Sequence, residues 1–135
     1  VKQMVSALQD VVSPRGTAKG AAVPGYYAAG KTGTAQKPSP NGGYMSGKYI
    51  VSFVGFVPAD KPELVCLVMI NNANTKAHEN YGGLVAAPIF STISDQALHY
   101  LNVEREIPDP PAPAATSAVV AKNNRKPEHA APDRD

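Results

Sequence analysis

The residues Gly30-Lys31-Thr32-Gly33-Thr34-Ala35 hold the densest chemistry in this chain. One cation, two hydroxyls and two residues without a Cβ fall within six positions. Two chemistries fit them. Gly25-x-x-x-x-Gly30-Lys31-Thr32 matches the phosphate-cradling P-loop pattern, a nucleotide-binding reading. Lys31-Thr32-Gly33 on a strand could instead line an acyl-transfer site.

The flanking sequence separates the two. A phosphate loop needs a buried strand before it and a helix after it, whose N-terminal N–H groups hold the phosphates. Ala18 to Pro24 is small and weakly patterned, and Gly33 to Pro38 is a poor helix start. Tyr26 and Tyr27 would crowd the loop, and the second apolar strand ends in Asn71-Asn72, with no acid to help hold magnesium. A strand meets no such conflict. Alternation puts Lys31 and Gly33 on one face and Thr32 and Thr34 on the other. Glycine at 33 lets a ligand approach the backbone, and an open edge could pair with an extended peptide. An ordinary surface strand is the plain alternative for three matching letters, but more than three match.

The elements that must position these residues read as helix, three strands, helix. Val1, Met4, Val5, Leu8, Val11 and Val12 keep helical spacing until Ser13-Pro14-Arg15-Gly16 ends it. Lys37 to Gly47, with two prolines and three glycines, reads as a loop. Lys48 to Val57 and Glu63 to Asn71 read as strands with apolar groups on both faces, joined by Pro58-Ala59-Asp60-Lys61-Pro62. Leu84 to Leu101 returns to helical spacing, with Pro88 near the helix start, where proline is tolerated. The expected fold is α/β (α+β), an antiparallel sheet with helices packed on it. Strands apolar on both faces call for more cover than two helices give. Further strands and a second helical layer are therefore expected upstream of Val1. Residues 1–107 form the folded segment, and the Pro/Ala-rich stretch from Pro108 to Asp135 is expected to be a disordered tail.

The bulk numbers exclude more than they select. A 135-residue chain is about one domain or a piece of one. A net charge of +2 gives no case for nucleic acid or an anionic membrane. One cysteine excludes an internal disulfide, and Cys66, inside the run Leu64 to Ile70, reads as a buried small hydrophobe. No apolar run approaches the roughly 18 residues of a membrane span. His78 and Glu79 find no third ligand at metal spacing and read as a solvated loop, His99 reads as helix surface, and His129 falls in the tail. No metal or cofactor is expected.

With these elements in place, the motif resembles the third motif of penicillin-binding protein transpeptidases, and its flanks resemble the class B branch. Gly16-Thr17-Ala18 precedes it at the usual distance, Ser52-Phe53-Val54-Gly55-Phe56-Val57-Pro58-Ala59 resembles the following strand, and Tyr81-Gly82-Gly83 with Ala86-Ala87-Pro88-Ile89-Phe90 resembles the entry to the last helix. The resemblance covers roughly Val1 to Val103. It implies a penicillin-binding protein/serine β-lactamase-like fold and acyl transfer at the D-Ala-D-Ala end of a peptidoglycan stem peptide, the step β-lactams block. It also implies roles for individual residues. Lys31 would supply positive charge and hydrogen-bond a second-motif serine. The Thr32 and Thr34 hydroxyls would bind the substrate carboxylate, and the Thr34 N–H would be one of two oxyanion donors. Gly33 would keep the strand open to the peptide, and Tyr81 would border the cleft. The implied location is the periplasmic face of the bacterial cytoplasmic membrane, with an anchor upstream of this chain. The implied partners are the upstream part of the domain and other cell-wall synthesis proteins.

One departure is decisive for chemistry. These 135 residues contain no Ser-x-x-Lys, so the nucleophile is expected upstream and this segment alone is expected to be inactive. Ser39-Pro40-Asn41 fits Ser-x-Asn by letters but lies after the Lys-Thr-Gly run, in the proline-glycine loop, and reads as a chance match. Within the same fold, a β-lactamase or sensor domain fits the flanking blocks less well. A non-catalytic binding module of that fold is the further alternative.

Overall fold

The computed structural model describes residues 1–72 and 82–108. Elements run in the order α1 (Lys2–Val12), a short 3-10 turn (Lys19–Ala21), β1 (Ala29–Pro38), β2 (Tyr44–Val57), β3 (Leu64–Asn71) and α2 (Gly82–Tyr100). Ser13 Oγ donates to the Asp10 carbonyl at 2.7 Å where α1 stops, and Pro14 comes next. The three strands form one antiparallel sheet in the order β1-β2-β3, as their short connections imply.

Register divides the sheet into two unlike faces. Val51, Phe53 and Val57 of β2 are fully buried, and Phe53 packs on Phe90 of α2. With them lie Val68 of β3 and Ala86, Ala87 and Leu98 of α2. Each large apolar group removed from water there contributes about 1.5–3 kcal/mol. The opposite face carries Val54 with Leu67, and Ser52 with Met69, as direct cross-strand partners. Val54, Val65, Leu67 and Met69 are all exposed. The apolar alternation calls for cover on both faces, and only one face receives it from the described residues. The pattern is sound, but the second layer it calls for does not come from α1 or α2.

Three expectations are corrected in detail. Strand β1 runs on to Pro38 and β2 starts at Tyr44, so most of the expected loop from Lys37 to Gly47 is strand. The turn proper is held by Ser39 N–H on Gly43 O and Gly42 N–H on Ser39 O. Gly42 and Gly43 have positive φ there, so the glycines mark a tight turn rather than a long loop. Pro88 is the seventh residue of α2, inside the helix rather than at its start, with its ring on the exposed side beside Gly20. Cys66 is half-buried, and burial pushes its thiol pKa up. His99 lies on the exposed side of α2, as expected.

The chain after α2 folds back. Tyr26 Oη donates to Val103 O at 2.6 Å, the Tyr27 N–H donates to Glu106 Oε2 at 2.9 Å, and the Glu106 and Ile107 N–H groups both reach Gly25 O. Residues 103–107 thus fasten the segment that leads into β1. Nothing in the sequence pattern signals this contact, because its partners lie more than 70 residues apart.

Candidate functional site

Among the described residues, strand β1 is an edge strand, paired only with β2. Its run Lys31-Thr32-Gly33-Thr34 faces Val54, Phe53, Ser52 and Val51 in turn. Partners directly opposite share a face, so Thr32 and Thr34 lie on the α2 side with Phe53 and Val51. Lys31 and Gly33 lie on the open side with Val54 and Ser52. This is the alternation expected from sequence.

The edge is polar and available. Lys31 and Thr34 are exposed and Thr32 is half-buried. Lys31 Nζ donates to Thr32 O at 3.0 Å and to Thr32 Oγ1 at 3.4 Å. In an antiparallel pair, successive residues turn their N–H and C=O alternately toward and away from the partner strand. A Thr32 carbonyl free to accept from Lys31 is one turned away from β2, and Thr34, two residues on, turns its N–H the same way. The edge therefore presents a cation, two hydroxyls and an outward N–H within four residues. Cations and hydroxyls suit a carboxylate, and a fixed outward N–H suits a developing oxyanion.

Gly33 lies directly beside the hydroxyl of its partner. A Cβ there would stand 2.5 Å from Ser52 Oγ, so the Ser52 hydroxyl already fills that space on the open face. In the sequence Ser52 only opens the block that resembles the following strand, and the register reveals its place beside the motif. Ser39 lies at the far end of the β1–β2 hairpin, eight residues beyond Lys31, or roughly 25 Å along a strand. Its hydroxyl accepts the Asn41 N–H at 3.4 Å and serves the turn. The P-loop reading fails on geometry: β1 runs unbroken through Lys31 and Thr32, and it leads into a hairpin instead of a helix. Tyr81, His78 and Glu79 lie outside the described residues, as do 109–135 of the expected tail.

Comparison with known proteins agrees on one family. The model described as "Penicillin binding protein transpeptidase domain" matches residues 1–95. The chain is 47% identical over 103 residues to stage V sporulation protein D of Bacillus subtilis, covering 76% of this chain and 15% of that protein. It is 39% identical over 104 residues to the peptidoglycan D,D-transpeptidase FtsI of Escherichia coli, covering 77% of this chain and 17% of that protein. Among solved structures it resembles the transpeptidase domain of Burkholderia pseudomallei penicillin-binding protein 3, at 43% identity and a TM-score of 0.67 over 77% of this chain and 30% of that one. It also resembles penicillin-binding protein 3 of Mycobacterium tuberculosis in complex with ampicillin, at 35% identity and a TM-score of 0.64 over 82% of this chain and 25% of that one.

Proposed function

The chain belongs to the penicillin-binding protein transpeptidase family, class B, as part of its transpeptidase domain, and from that premise we propose that it supplies the Lys-Thr-Gly strand of a peptidoglycan D,D-transpeptidase. The substrate is the D-Ala-D-Ala end of a stem peptide, which lies along the open edge of β1. Thr32 and Thr34 hydroxyls hold its carboxylate, and Lys31 sets the positive field of the cleft and hydrogen-bonds a serine of the upstream part. A nucleophilic serine, also upstream, attacks the carbonyl between the two D-alanines. The C–N bond breaks, the terminal D-alanine leaves with a proton on its nitrogen, and the ester is resolved by an amine of a neighbouring stem. The Thr34 N–H donates to the oxyanion formed on the way, a contact worth about 3 kcal/mol.

The observation that carries this reading is the edge at Lys31–Thr34, unpaired among the described residues, with the Thr32 carbonyl turned outward. The open apolar face of Val54, Val65, Leu67 and Met69 supports the view that the rest of the domain docks there. By the same argument these 135 residues alone are inactive. The complete protein works at the periplasmic face of the cytoplasmic membrane beside other cell-wall synthesis proteins.

The test is intact-mass spectrometry of the complete protein after incubation with ampicillin. One covalent adduct on a serine outside these 135 residues is the expected result. A folded protein with no adduct would instead favour a non-catalytic binding module.

A further inference from the structure

Helix α2 begins on top of the motif strand. A Cβ on Gly82 would overlap the carbonyl oxygen of Ser52 and stand 2.9 Å from that of Gly33. Gly33 and Ser52 are direct partners in the β1–β2 ladder. Both obstacles are backbone atoms of that ladder, so neither can swing aside as a side-chain end would. Gly82 is buried, Phe90 packs the helix behind it onto Phe53 of β2, and Ala86 and Ala87 are fully buried in the same core. The next residue after Gly33 is Thr34, whose N–H faces the open edge.

We propose that Gly82 is a positioning residue for acyl transfer. Its bare Cα fixes the height of the Gly33–Ser52 pair against α2, and with it the direction of the Thr34 N–H. The inference rests on the acyl-transfer reading above. Gly83 supplies the internal contrast. A Cβ there would overlap the carbonyl oxygen of Thr17, in the segment before the 3-10 turn, and would not press on β1. The same substitution one residue apart therefore strains the same helix turn against two different neighbours.

The experiment uses the complete protein and ampicillin. In acylation the serine O–C bond forms, the lactam C–N bond breaks and the serine proton ends on the ring nitrogen. The rate of that step and the ampicillin dissociation constant are measured separately, alongside the melting temperature. Gly82→Ala should slow acylation about 100-fold, the effect of a misplacement near 1 Å, with little change in the dissociation constant. Gly83→Ala should acylate at close to the wild-type rate even where it lowers the melting temperature as much. Wild-type acylation in Gly82→Ala, or an equal slowing in Gly83→Ala, would overturn the proposal. If Gly82→Ala does not accumulate folded, the crystal structure of the ampicillin-acylated wild type decides. A Gly82 seated so that a Cβ would strike both carbonyl oxygens supports the role, and a helix start lifted off the ladder removes it. Lys31→Ala run in parallel separates the two claims. No adduct on the folded wild type sinks the acyl-transfer reading, unchanged acylation in Lys31→Ala removes only Lys31 from the site, and loss there with none in Gly82→Ala sinks only the positioning role.

Discussion

The ring of Phe90 on α2 meets that of Phe53 on β2 with centroids 4.9 Å apart and planes tilted by 58°. Phe53 is also the direct partner of Thr32 on β1, so the aromatic pair backs the motif strand. Phe90→Ala would remove a fully buried ring and leave a cavity behind the site. It should destabilise the fold by about 3–5 kcal/mol, read from urea denaturation of the complete protein. A loss under about 1 kcal/mol would show that the pair is not a main support.

Ser94 lies in the middle of α2, fully buried, and its hydroxyl finds no partner among the described residues. A buried hydroxyl without a hydrogen bond costs about 1–3 kcal/mol. Ser94→Ala should therefore raise the melting temperature slightly. A fall would show that the hydroxyl is bonded in the complete protein.

Lys31 is exposed and bonds only its neighbour Thr32 among the described residues. Lys31→Ala should leave the melting temperature of the complete protein nearly unchanged while reducing acylation by ampicillin at least 100-fold, the scale of losing a transition-state contact. Equal acylation would remove Lys31 from the site.

Residues 103–107 close on Gly25, Tyr26 and Tyr27 through backbone and side-chain hydrogen bonds. Ending the chain after Pro108 should leave the melting temperature unchanged, because residues 109–135 are Pro/Ala-rich and poor in large apolar groups. Ending it after Asn102 should lower it clearly. Tyr26→Phe isolates one of those bonds and should cost about 1 kcal/mol. Equal midpoints for the two truncations would show that the fold-back contributes nothing.

Burial raises the pKa of the Cys66 thiol, which keeps it protonated further into alkaline pH than a free thiol. The thiolate is the reactive form, so iodoacetamide labelling of Cys66 in the folded protein should rise at higher pH than labelling of glutathione. Labelling that rises at lower pH than glutathione would contradict the raised value.

The local sequence by itself determined a good deal. Strand alternation placed Lys31 with Gly33 and Thr32 with Thr34, because a pleated backbone sends successive side chains to opposite faces whatever surrounds it. The same local rule, with the missing helix after Lys31-Thr32, set the phosphate-loop match aside on local grounds alone. Helical spacing found α1 and α2 to within a few residues, although it placed Pro88 too near a helix start. Tertiary structure decided what depends on distant partners. It made β1 an edge strand, set Ser52 opposite Gly33, and seated Gly82 on that pair. It also brought residues 103–107 back to Gly25 and left Val54, Leu67 and Met69 open. Register and close backbone contact join residues far apart in the chain, and no local periodicity carries that information.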